Sequence, residues 1–217
     1  MALVSQFIQC WTRKPLEIRG SVAIVGNSDL LAGHQYGSEI DSHDNVFRFN
    51  LAPLDEEFRD SVGSKADYYL LSQNITTLRY PHPEPLQSRF KDICRHSTVI
   101  CYPGHEKNIV KYQRPYLLTH DVAQLNELIT QIFGSPVVEF PLKNHPRNGI
   151  KLAVPLVAAG IRPTLYGFDL ESRSVQTHYF DDEKQNEVPE GTPGHRPSLE
   201  YALLAELVAG ELITIKN

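Results

Sequence analysis

The apolar run from Val22 to Val25 stops abruptly on Gly26, Asn27 and Ser28, and this junction constrains the fold more than any other stretch. An unbroken apolar run ending in such a turn is the pattern of a buried parallel strand handing over to a phosphate-facing loop. Glycine at a strand-to-helix turn also serves backbone geometry alone, and the full G-x-G-x-x-G fingerprint is absent. A second apolar run, Val46 to Phe49, ends in Asn50. Two strand ends are therefore expected to bring Asn27 and Asn50 to one crevice, although an asparagine closing a strand also satisfies local turn backbone. Arg48, between two phenylalanines, must point away from them, toward solvent or a carboxylate such as Asp41 or Asp44.

The remaining chain alternates strands with helices. Strands are expected over Ser21 to Val25, Val46 to Phe49, Ala66 to Leu71, Thr98 to Tyr102, Val137 to Phe140, Thr164 to Phe168 and Leu212 to Ile215. Ser28 is expected to cap a short helix through Leu31, and Ile40 to Asp44 reads as a polar turn. Asp121 opens the helix DVAQLNELITQIF, whose Val122, Leu125, Leu128, Ile129 and Ile132 recur at three- and four-residue steps until Gly134. Asn148 and Gly149 precede an apolar helix ending at Gly160, in which Pro155 predicts a kink or a late start. Pro197 suits a first helical position, with an apolar stripe from Leu199 to Val208 and a stop at Gly210. This alternation predicts an α/β fold, a largely parallel central sheet flanked by helices, in a single domain over 1–217.

Charge and length narrow the function. Basic residues number 21 against 26 acidic, a net charge of −5 with no basic run, which excludes nucleic acid as the main partner. The N-terminal stretch lacks a charged leader, is interrupted by Gln6 and Gln9, and reads as an amphipathic helix. No stretch reaches the ~18 apolar residues of a transmembrane segment. Three cysteines, Cys10, Cys94 and Cys101, match no metal spacing, favouring reduced thiols and a reducing compartment.

Candidate site residues follow. Asn148 and Gly149 offer helix-start N–H groups suited to a phosphate, or simply form a cap. His178 and His195 lie in polar context where a surface histidine is the ordinary outcome. Asp181, Asp182 and Glu183 are of metal-binding type, but a solvated acidic loop is the commoner result, and no metal site is assigned.

Taken in order, these pieces carry more. VAIVGNS, EIDSHDNVFRFNLAP with DSVGSK, HPRNGI followed by LYGF, HYFDD, and H-x-x-x-x-E from His195 to Glu200 closely resemble the large, small, third and very small sialylmotifs of animal-type sialyltransferases. The resemblance covers Val22 to Lys65 and Pro146 to Glu200; Ala66 to His145 carries none of it. It implies a metal-independent, inverting glycosyltransferase of Rossmann-like GT-A-variant fold, with a CMP-sugar donor, a glycan acceptor and no cofactor. By position, Asn27 and Asn50 would hold the donor phosphate, with Ser28 supporting the turn. Asn148 and Gly149 stand where the family has a Ser/Thr–Gly pair facing the nucleotide, and Gly167 and Phe168 would line the cytidine. His178 corresponds to a histidine near the phosphate and His195 to the catalytic histidine, with Glu200 a positioning residue. CMP-sialic acid is the implied donor; another CMP-activated 2-keto sugar acid such as CMP-Kdo, or a non-catalytic nucleotide-binding relative, are the alternatives. Family members join two cysteines where this chain has Val22 and Gly160, which, with the missing membrane anchor, points to the cytoplasm.

Overall fold

The structure, a computed structural model, describes residues 8–10, 16–170, 179 and 196–217. Its strands are β1 (Ile8–Cys10), β2 (Val22–Val25), β3 (Asn45–Phe49), β4 (Tyr68–Leu71), β5 (Thr98–Cys101), β6 (Tyr116–Leu118), β7 (Thr164–Tyr166) and β8 (Thr214–Lys216). The α-helices are α1 (Gly37–Ser42), α2 (Arg59–Val62), α3 (Leu86–His96), α4 (Val122–Phe133), α5 (Asn148–Ala158) and α6 (Pro197–Ala209). The strands form one sheet in the order β1-β6-β5-β4-β3-β2-β7-β8. From β2 to β8 all pairings are parallel, and β1 closes one edge antiparallel to β6. The α/β architecture with a largely parallel sheet is as the alternation predicts.

The order places the site. From β2 the chain builds outward through β3, β4, β5 and β6, then returns to lay β7 on the other side of β2. The carboxyl ends of β2 and β7 thus flank the point where the winding reverses, the position at which open α/β sheets hold ligands.

One sheet face packs as a single core: Ile24, Phe47, Leu70, Ile100 and Leu165 meet Leu125 and Ile129 of α4, Leu152 and Leu156 of α5, and Leu203 and Leu207 of α6. The opposite face is divided. Val25 and Val46 pack with Leu31, Ile40 and Val62. Tyr69, Leu71, Val99 and Cys101 pack with Phe90, Ile93 and Ile109. On β3 beside the division stands Arg48, 1% exposed. It meets no solvent and, among the described residues, no direct carboxylate partner. Its Nε donates to Lys65 O at 2.8 Å and its Nη2 to Val62 O at 2.7 Å. Asp41 instead accepts the Ser64 and Lys65 N–H groups at 2.9 and 2.8 Å, and Asp44 accepts from Ser21 N at 2.7 Å.

The local signals account for most element ends. Asp121 and Gln124 form a reciprocal capping box at α4, worth about 1 kcal/mol, and Gly134 stops that helix at φ 71. Ser28 accepts from Leu30 N and caps a 3-10 turn over Asp29–Leu31. Other expectations are corrected. Ile40 to Asp44 is not a turn: α1 occupies Gly37–Ser42, with Ile40 buried at its centre. Val137 to Phe140 is not a strand, because the Asn126 side chain bonds both N and O of Phe140, replacing a neighbouring strand. The N-terminal stretch supplies a strand at Ile8–Cys10 instead of a helix, since β6 leaves an edge to be paired. Helix α5 starts at Asn148 with no delay, and Pro155 lies buried inside it. Cys94 and Cys101 are buried free thiols, pushed up to about 12 by burial.

Candidate functional site

At the end of β2, the Gly26 N–H donates to Tyr166 O at 2.8 Å. A Cβ on Gly26 would stand 2.9 Å from Gly167 O and 3.4 Å from the Phe168 ring, so the two strand ends touch where only glycine fits. Gly149 meets the same ring: a Cβ there would lie 2.3 Å from Phe168 Cε1. Gly26, Gly167, Phe168 and Gly149 therefore form one wall running from the sheet to the start of α5.

The asparagines meet on the β3 side. Asn27 Nδ2 donates to Phe49 O at 3.4 Å, next to Asn50. Asn27 Oδ1 is buried and bonds none of the described residues, while the Asn27 backbone O accepts from Tyr179 N at 2.9 Å. Asn50 holds the left-handed conformation at φ 55, and its Oδ1 accepts from Ser72 N at 3.0 Å. That bond fixes the amide so that Nδ2, which bonds none of the described residues, is its donating end. Ser28 turns its oxygen inward to the cap described above, shaping the loop.

Helix α5 begins without a side-chain cap on its first turn. Its leading N–H groups and the positive end of its dipole therefore face the crevice. Asn148 turns the other way, its Oδ1 accepting from Tyr102 OH at 2.8 Å at the end of β5. Glu200, 1% exposed in the first turn of α6, accepts from Arg147 N at 2.9 Å and pairs with Arg147 Nε. It thus ties α6 to the residue that starts α5. His178 and His195 lie outside the described residues.

The structure gathers Asn27, Ser28, Asn50, Gly149, Gly167 and Phe168 around the β2–β7 reversal, with Asn148 at its margin and Glu200 behind α5. Residues not singled out from the sequence also stand here. Tyr102 and Lys151 form a corner beside Asn148, with Lys151 Nζ 4.8 Å from the Tyr102 ring centroid. Tyr102 ends an apolar run at the carboxyl end of a strand, which is the signal that marks it. Burial pushes its hydroxyl well above the usual range, so it stays a neutral donor. His120, after β6, is pulled to about 4 by burial, with Lys151 adding to the effect. Among the described residues no group of His, Cys, Asp and Glu is placed to hold a metal ion.

The fold and crevice put this chain among the α/β proteins that take a ligand at the carboxyl ends of a parallel sheet. The comparisons carry this further. The pattern of "Glycosyltransferase family 29 (sialyltransferase)" matches residues 5–100. The chain is 26% identical over 220 residues to CMP-N-acetylneuraminate-beta-galactosamide-alpha-2,3-sialyltransferase 1 of Gallus gallus, covering 93% of this chain and 60% of that protein. A segment of 49 residues is 51% identical to Sialyltransferase-like protein 1 of Arabidopsis thaliana, covering 23% of this chain and 10% of that one. The fold matches the crystal structure of a mammalian sialyltransferase with TM-score 0.60 at 20% identity, covering 91% of this chain and 68% of that chain. The chain thus resembles sialyltransferases in sequence and in fold, as its motifs predict, and spans about 60% of the length of the chicken relative. Among the described residues no helix is long and apolar enough to cross a membrane.

Proposed function

We propose that this chain is an inverting, metal-independent glycosyltransferase of Rossmann-like GT-A-variant type, a single domain that moves sialic acid from CMP-sialic acid to a glycan hydroxyl. The observation that carries this is the continuous wall from Gly26 through Gly167 and Phe168 to Gly149, with Asn27 and Asn50 beside it. It is a slot for a flat base whose phosphate reaches the asparagine amides and the start of α5. The family's established chemistry supports the choice of donor.

The leaving CMP gains negative charge as its bond to the sugar breaks. Amide donors from Asn27 and Asn50 and the uncapped first turn of α5 stabilise that charge more in the transition state than before it. His178 adds a donor or a cation at the same phosphate. On the other face, His195 removes the acceptor hydroxyl's proton as the new bond forms; a reference pKa of ~6.5 suits that task near neutrality. Backside attack at the anomeric carbon inverts its configuration. Glu200 acts by position, through Arg147 and α5. Val22 and Gly160, in place of the family's paired cysteines, suit a reducing compartment such as the cytoplasm.

The test is calorimetry with CMP, followed by release of CMP from CMP-sialic acid and from CMP-Kdo with a panel of acceptors. CMP is expected to bind, and CMP-sialic acid to turn over. His195→Ala is expected to lower turnover by ~100-fold or more while leaving the Kd for CMP within about threefold. A variant with near-normal turnover overturns the role of His195. Turnover of CMP-Kdo alone reassigns the donor, and binding without any turnover overturns the enzymatic reading.

A further inference from the structure

The mechanism leaves one charge unused. Lys151, in the first turns of α5, is partly buried, and its ammonium lies 4.8 Å from the Tyr102 ring centroid. Among the described residues it makes no hydrogen bond and no ion pair. Among the described residues the carboxylate whose charge bears on it is Glu200, and both Glu200 oxygens are already engaged by the backbone N–H and Nε of Arg147. Arg147 and Lys151 thus bring two positive charges to one carboxylate, beside an uncapped helix start that adds to the same sign. His120 close by is neutral at pH 7 and offers no counter-charge.

Burial works against the Lys151 ammonium and pulls its pKa down, with Glu200 opposing. A partly desolvated cation that, among the described residues, touches an aromatic ring and shares a carboxylate with an arginine is under-compensated, because the ring returns about 1 kcal/mol while a charged partner of its own returns more. Its place gives it a use. Tyr102, which carries it, also bonds Asn148, the residue next to the Gly149–Phe168 wall. Lys151 therefore stands beside the start of α5, the helix end that the donor phosphate faces on the reading of the crevice given above.

We propose that Lys151, held over Tyr102, is a specificity-determining residue that pairs with the carboxylate of an acidic sugar in this crevice. The carboxylate belongs either to the transferred sugar acid or to an acidic residue of the acceptor, and the two sources are separable. The proposal rests on the crevice being the donor site, and one set of measurements tests both.

Wild-type protein, Lys151→Met and Lys151→Arg are titrated calorimetrically with CMP, CMP-sialic acid, lactose and 3′-sialyllactose. Lys151→Met keeps the length of the side chain and removes the charge. It is expected to melt no lower than wild type, because a desolvated ammonium is lost. If the donor supplies the carboxylate, Lys151→Met weakens CMP-sialic acid by about tenfold or more while CMP changes less than about twofold. If the acceptor supplies it, the preference for 3′-sialyllactose over lactose falls by about the same factor. Lys151→Arg retains the preference in either case. Lys151→Met with both preferences unchanged overturns the proposal and leaves the donor site standing. Wild-type protein that binds neither CMP nor CMP-sialic acid overturns the donor site, and the ratio between 3′-sialyllactose and lactose then decides the Lys151 proposal alone.

Discussion

Gly149 and Phe168 meet across the mouth of the crevice, and the contact leaves no room for a methyl group. A Cβ at Gly149 would lie 2.3 Å from Cε1 and 2.7 Å from Cζ of Phe168, far inside van der Waals contact. Gly149→Ala must therefore displace the ring, at a cost of about 1–3 kcal/mol for overpacking. The expected outcome is a lower melting temperature and weaker CMP binding together. Adding Phe168→Leu should recover most of the melting temperature but not the affinity, since the surface on which the base would stack is gone. Recovery of both would show that the ring only fills space. Sequence alone brought these two positions to one site only through the family resemblance. They are 19 positions apart on different elements, and no local spacing encodes their contact.

At the scale of elements, β3 is the strand most dependent on one polar side chain. All five of its residues are buried, and Arg48 bonds the carbonyls of Val62 and Lys65 on the segment leading to β4. Arg48→Ala removes both donors and leaves a cavity, an expected loss of about 4 kcal/mol in urea unfolding. Arg48→Met refills the volume but leaves two carbonyls unbonded, so about half that loss is expected. Equal losses would mean that volume contributes nothing. The alternating pattern does indicate that Arg48 points away from its phenylalanines. It cannot indicate that the partners are backbone carbonyls, because these are positioned by the loop after α2. Elsewhere legibility follows the strength of local signals. Helix α4 is readable because Asp121, Gln124 and Gly134 mark its ends. Helix α3 also carries a pattern, Leu86, Phe90, Ile93 and Cys94, which the charged residues between them obscure. Strands β1 and β6 have only three residues each, too few to show a period, and pair with one another at the edge of the sheet.

For the whole molecule, stability against pH should have two separate acid limbs. His120 is 6% exposed and titrates near about 4 in the folded state, pulled down by burial first and by the Lys151 charge second, with Asp121 opposing. In the unfolded chain it titrates near ~6.5. Between these values the unfolded state binds the extra proton, so the unfolding free energy falls as pH drops from ~6.5 to ~4 and then levels off. At 1.36 kcal/mol per pH unit this amounts to about 3 kcal/mol. Burial also lowers His43, which acts in the same direction and window. Asp41 behaves oppositely. Burial alone would raise it, but the Lys65 and Ser64 N–H groups outweigh burial and hold it below the usual carboxylate range. Its contribution is complete above ~4 and is lost only as pH falls through its lowered folded value. Urea unfolding from pH 7.5 to 3 should therefore show a loss beginning near 6.5, well above any carboxylate. His120→Gln should flatten the upper limb, leaving the smaller His43 slope and the lower limb intact. If the variant keeps the full slope between pH 6.5 and 4, His120 is not its source.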